Sequence, residues 1–204
     1  MTRVKICGLT NLEDVDAAVR YGADALGFIC VPESPRYVTP EKFNEIGRVI
    51  RLFVPRVAVV RRPEDAAGYD ADYVQYYVDP EDPASLTKPG IRCFRMSGAE
   101  SVDEVQSYKG SAIAYLLDAY HADKLGGSGE SFNWDLAVQA TMGSHPPILL
   151  AGGLTVDNVA DAIRATRPYA VDIASGVEMA PGIKDHNKIR DFIRAVREYD
   201  LKRS

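Results

Sequence analysis

The chain has 204 residues, 46% apolar and 26% charged, with a formal net charge of -5. This predicts one domain with a sizeable core spanning residues 1–204, and the acidic balance weighs against a general nucleic-acid or anionic-membrane binder. Three widely spaced cysteines fit no zinc pattern and suggest reduced thiols in the cytoplasm, three scattered histidines suggest no metal site, and no apolar stretch has the length of a signal peptide core or membrane span.

Val4-Lys5-Ile6-Cys7 reads as a short buried strand ending in a thiol and Gly8. Thr10 and Glu13 have capping-box spacing, and Leu12, Val15 and Val19 share one face of a helix that Gly22 ends. Residues 25–29 form a second apolar strand. A proline-broken loop holding Arg36 follows, and Thr39 is placed to cap a helix carrying Phe43, Ile46, Val49, Ile50 and Phe53. Residues 56–60 and 73–78 read as strands three and four, with a short helix at 63–67 between them and a faint one at 84–86 after. Strand five is expected at 91–95, then a second capping box from Ser101 to Glu104.

Residues 112–117 form strand six, with Asp118 at its carboxyl end. The glycine-rich loop Gly126-Gly127-Ser128-Gly129 and a helix over 133–142 follow. Strand seven, 147–151, runs into Gly152-Gly153, and Thr155 is placed to cap a helix carrying Val156, Val159 and Ile163. Strand eight, 170–173, enters Ser175-Gly176, with a short extra helix expected at 177–179. The last helix sets Ile189, Phe192, Ile193 and Val196 on one face.

Eight strand–helix units of this density imply a parallel sheet, and eight close as a small (β/α)8 TIM barrel in the α/β class; a doubly wound open sheet is the alternative. In a barrel the functional residues follow the strands on one face. Cys7, Arg36, Asp118, Gly152, Gly153, Asp172, Ser175 and Gly176 all fall there. The glycine clusters suit a phosphate, because glycine lets backbone amides approach an anion; each alone also suits a plain turn. Cys7 reads as a nucleophile or base, or as a small buried hydrophobe. Asp118 reads as an acid raised by desolvation, or as a cap or ion-pair partner. Arg36 offers a fork to a carboxylate, or is solvated surface.

Lys5 to Thr10, Gly27-Phe28, Ser34-Pro35-Arg36, Leu116-Leu117-Asp118, Gly126 to Gly129, Ala151 to Leu154, Asn158-Val159, Val171-Asp172, Ser175 to Glu178 and Pro181 to Asp185 resemble, in order, the motifs of the phosphoribosylanthranilate isomerase family. The resemblance implies a (β/α)8 isomerase of tryptophan biosynthesis that uses no metal or organic cofactor. It would bind a small phosphosugar, neither nucleic acid nor membrane, as a monomer or homodimer. It also implies that Asp118 is the general acid, Cys7 the general base, Arg36 the holder of the anthranilate carboxylate and Asp172 a neighbour of its amine. Gly127, Gly152, Gly153, Ser175 and Gly176 would hold the phosphate. Three places depart from the family pattern: Tyr76-Tyr77-Val78 stands where Leu-His-Gly is usual, Ala174 where serine is commoner, and Ile29-Cys30 where an aromatic is usual. The competing readings are a related phosphosugar barrel of histidine or indole synthesis, and a barrel that binds phosphosugars without turnover or with altered specificity.

Overall fold

The computed structural model describes residues 1–50, 53–82, 86–119, 134–143 and 145–203. Eight parallel strands form a closed barrel: β1 (Arg3–Ile6), β2 (Ala25–Ile29), β3 (Arg56–Val60), β4 (Tyr73–Tyr76), β5 (Gly90–Met96), β6 (Ala114–Ala119), β7 (Ile148–Leu150) and β8 (Ala170–Ile173). β8 pairs back onto β1, with Lys5 opposite Asp172. Around them lie α1 (Leu12–Tyr21), α2 (Pro40–Val49), α3 (Ala99–Ser107), α4 (Trp134–Ala140), α5 (Val159–Thr166) and α6 (His186–Arg203), with a 3-10 turn, Pro63–Ala66, between β3 and β4. No helix among the described residues is long and apolar enough to cross a membrane.

The apolar strand runs arise because both faces of each strand are buried. One set of alternate residues, including Val4, Ile6, Leu26, Phe28, Val171 and Ile173, packs outward against Phe43, Ile46, Ile163, Ile189, Phe192 and Val196 of the helices. The other set, including Val57, Ile91, Cys93, Leu116, Leu149 and Ala170, fills the barrel interior. The period of two that sends Ala170 inward and Val171 outward also sends Asp172 inward. Each fully buried helix anchor such as Phe192 contributes about 1.5–3 kcal/mol by removal from water.

Several helix starts differ from the sequence expectation. Asn11, not Thr10, caps α1, accepting from the Asp14 amide at 2.8 Å, while the Thr10 hydroxyl donates to the Gly182 carbonyl. Ser101 lies within α3, which starts after Gly98; its hydroxyl accepts from the Ser97 amide. Asn158 flanks α5 and accepts from the Thr155 amide, so Thr155 is not the cap. Thr39 caps α2 as expected, but that helix stops at Val49, leaving Phe53 beyond it and fully exposed and Val49 largely so. Residues 177–179 are not a helix. A three-residue 3-10 turn, Ser175–Val177, leads into a hairpin of β9 (Glu178–Ala180) and β10 (Ile183–Lys184), which turns at Gly182 with φ +80°. The extended backbone lets buried Glu178 and Lys184 face each other. The faint helix at 84–86 and the 126–129 loop with Gly127 lie wholly or partly outside the described residues.

Candidate active site

The barrel brings eight of the nine expected site residues to one pocket. Cys7, Arg36, Asp118, Gly152, Gly153, Asp172, Ser175 and Gly176 line it, joined by Gln75 and Tyr77. All leave the carboxyl ends of strands or the stretches just after them, so the parallel strands of the barrel, ending on one face, explain their convergence. Gly127 lies outside the described residues.

Cys7 extends the β1 ladder by one bond, its amide donating to the Ile173 carbonyl at 2.8 Å. Its side chain is buried. Burial pushes the thiol up, while Lys5 and, to a lesser degree, Lys184 pull it back. Cys30, by contrast, is pushed up to about 12, chiefly by burial. Gly27 leaves the space that Cys7 and Lys5 need: a Cβ there would lie 2.7 Å from the Cys7 sulfur and 2.9 Å from Lys5 Nζ.

Lys5 is almost wholly buried, and its ammonium donates to Asp172 Oδ1 at 2.8 Å and to Gln75 Oε1 at 3.0 Å. Asp172, in the pocket lining, is thus already ion-paired. Arg36 follows β2 and is also engaged. Its Nε and Nη2 donate to the two oxygens of Glu178 at 2.8 and 2.7 Å, and Lys184 Nζ donates to Glu178 Oε1 at 2.9 Å. Burial would raise the Glu178 carboxyl, but Arg36 and Lys184 outweigh it and hold it below its ordinary value. The pair with Glu178 uses one edge of the Arg36 guanidinium and leaves Nη1 and the second Nη2 proton for another acceptor.

The loops after β7 and β8 are built closely together. Gly152 and Gly153 have φ of +91° and +64°, a region that favours glycine. Asn158 fixes this loop, donating to the Gly153 carbonyl at 2.9 Å. A Cβ on Gly176 would lie 2.2 Å from the Leu154 carbonyl oxygen, so only glycine lets the two loops touch. Gly8, with φ +72°, faces Arg36: a Cβ there would come within 2.9 Å of the Arg36 Cδ. Tyr77 occupies the pocket wall where the family pattern has histidine. Its phenol is pushed well up by burial, with Cys93, Asp118 and Cys7 adding to it.

Lys5, Gln75, Glu178 and Lys184 were not assigned a role from the sequence. The signal available was a lone polar residue inside an apolar strand, as in Val4-Lys5-Ile6 and Val74-Gln75-Tyr76, because both faces of such a strand are buried.

A family model described as N-(5'-phosphoribosyl)anthranilate (PRA) isomerase matches residues 4–195. The chain belongs to the phosphoribosylanthranilate isomerase family. An N-(5'-phosphoribosyl)anthranilate isomerase of Geobacter metallireducens is 46% identical over 202 residues, covering 95% of this chain and 98% of that one. The crystal structure of phosphoribosyl anthranilate isomerase from Thermotoga maritima superposes with a TM-score of 0.85 at 36% identity, covering 97% and 100% of the two chains. A second solved phosphoribosyl anthranilate isomerase, in complex with reduced 1-(o-carboxyphenylamino)-1-deoxyribulose 5-phosphate, has a TM-score of 0.80 at 33% identity, covering 97% and 100%. The protein is an isomerase of tryptophan biosynthesis, on a TIM barrel.

Proposed function

We propose that the enzyme converts N-(5-phosphoribosyl)anthranilate into 1-(2-carboxyphenylamino)-1-deoxyribulose 5-phosphate, with Asp118 as acid and Cys7 as base, as one cytoplasmic barrel domain. The reading is carried by one observation: Cys7 and Asp118 share a pocket with the two glycine loops that follow β7 and β8. A related isomerase that binds the reduced form of this product supports the substrate class.

Asp118 gives its proton to the ribose ring oxygen as the C1–O bond breaks, and the aniline nitrogen lone pair forms the iminium. The Cys7 sulfur then takes the proton from C2, and that electron pair neutralises the iminium as an enolamine. Tautomerisation moves the enol proton's equivalent to C1 and leaves the ketone. Solvent carries the proton from Cys7 back to Asp118 between turnovers, so protons and electrons balance and no oxidant is needed. Acid and base steps of this kind are each worth about 10²–10⁴-fold in rate. The remaining Arg36 edge receives the anthranilate carboxylate, Asp172 lies near the amine, and the amides of Gly152, Gly153, Ser175 and Gly176, with Gly127, hold the phosphate.

Loss of substrate fluorescence on adding pure enzyme tests the assignment. A phosphosugar that binds but does not react would favour the noncatalytic barrel instead.

A further inference from the structure

The sulfur of Cys7 lies where burial disfavours a thiolate, so the base needs a counter-charge. Facing it are Lys5 of β1, Cys30 and Arg36 after β2, Tyr77 after β4, Asp172 of β8 and Lys184 of β10, with Asp118 of β6 lining the same pocket. Lys5 pairs with Asp172, and Arg36 and Lys184 share Glu178. Three buried cations and the carboxylates of Asp172 and Glu178 thus lie beside Cys7, with Asp118 in the same pocket, in a setting where water screens little.

Lys5 is the cation placed to face the sulfur. An ammonium has three protons to donate, and Gln75 and Asp172 take two. The Cys7 sulfur and Lys5 Nζ lie 2.7 and 2.9 Å from one point over Gly27, so they flank the same small space. Arg36 and Lys184, by contrast, are tied to Glu178.

We propose that Lys5 is a positioning residue for this reaction: its ammonium, anchored by Gln75 and Asp172, is the counter-charge that lets the Cys7 thiol release its proton to solvent and accept the one on sugar C2. This rests on the reading of Cys7 as the base. Burial pulls the Lys5 ammonium down, but Asp172 and Cys7 outweigh it and hold it above its ordinary value, so it stays charged through the neutral range. Toward Cys7, Lys5 is the strongest influence against burial, and Asp172 acts in the opposite sense.

The experiment is a pH titration of thiolate absorbance in the purified, substrate-free enzyme, with the Cys7→Ala spectrum subtracted so that Cys30 and Cys93 cancel. Lys5→Gln is expected to move the Cys7 midpoint to higher pH by about one unit or more. Asp172→Asn, which removes the opposing carboxylate, is expected to move it lower. The double variant Lys5→Gln/Asp172→Asn replaces the ion pair with a neutral hydrogen-bonding pair; it is expected to fold and still to show the upward move. That variant decides the matter if Lys5→Gln alone does not fold, since a purely structural lysine would be rescued by it. An unchanged midpoint in Lys5→Gln or the double variant would overturn the proposal, as would an unchanged one in Asp172→Asn. The titration needs no substrate, so the underlying reading fails separately: the midpoint would move while the pH dependence of kcat/KM stayed where it was.

Discussion

Replacing Gly176 with alanine puts a methyl group into the joint between the loops after β7 and β8. The new Cβ would lie 2.2 Å from the Leu154 carbonyl oxygen and 2.9 Å from the Ile173 Cδ1. The Ile173 methyl can swing away; the carbonyl is backbone. Carbon and oxygen ordinarily approach no closer than about 3.3 Å, so one loop must retreat by about 1 Å. Overpacking of this kind costs about 1–3 kcal/mol, and about 2 kcal/mol lowers Tm by roughly 4–8 °C for a chain of this size. A 1 Å displacement of groups that position a substrate costs up to about 100-fold in kcat/KM. The assay pairs thermal unfolding with turnover of N-(5-phosphoribosyl)anthranilate, with Gly22→Ala as the control. Gly22 caps α1 with φ +95° and has open space around its Cβ position, so alanine there costs about 1–2 kcal/mol of strain remote from the pocket. Gly176→Ala should raise KM and Gly22→Ala should not. Equal KM values at similar losses of Tm would refute a phosphate site in these loops.

Cys7→Ala and Asp118→Asn should each lower kcat about 100-fold or more, read by the same fluorescence assay with circular dichroism to confirm folding; near-full activity in either would remove that residue from the mechanism. Arg36→Lys keeps the charge but loses the fork, and should raise KM about tenfold in steady-state kinetics while lowering Tm through the weakened pair with Glu178. Glu178 is held below its ordinary value of 4.5. Its pairs therefore contribute fully above about 4.5, and that stability is lost as pH falls through the lower folded value. Acid unfolding followed by fluorescence should be less steep in Glu178→Gln; an unchanged pH dependence would show that the hairpin pairs do not add stability.

The strands at 25–29, 56–60 and 170–173 begin and end where the sequence suggested, because burial on both faces leaves a continuous apolar run. The convergence of Cys7, Asp118 and the glycine loops was legible for a related reason: once the barrel is inferred, strand ends share a face. The helix caps were less legible. Thr10 and Asn11 are both capping residues in type, and spacing alone does not tell which one turns its side chain into the helix. The contact of Lys5 with Gln75 and Asp172 joins residues 70 and 167 positions apart, and only the closed register of β1 with β8 and β2 to β4 brings them together. Glu178 and Lys184 stayed hidden because their pairing depends on a tight hairpin, where a short helix was expected.

The pH dependence of kcat/KM, measured with N-(5-phosphoribosyl)anthranilate for the wild type and for Asp118→Asn, tests the acid and base roles most directly. Two ionisations should shape the wild-type profile, because the reactive form needs Cys7 without its proton and Asp118 with its own, so activity should pass through a maximum and fall on the alkaline side. Asp118→Asn leaves the Cys7 ionisation alone: its residual activity should rise with pH to a plateau, and because burial pushes the thiol up, the midpoint of that rise should lie above the ordinary value of 9.0. An alkaline fall that survives in Asp118→Asn, or a rise in that variant centred in the acid range, would contradict the assignment of Cys7 as base and Asp118 as acid.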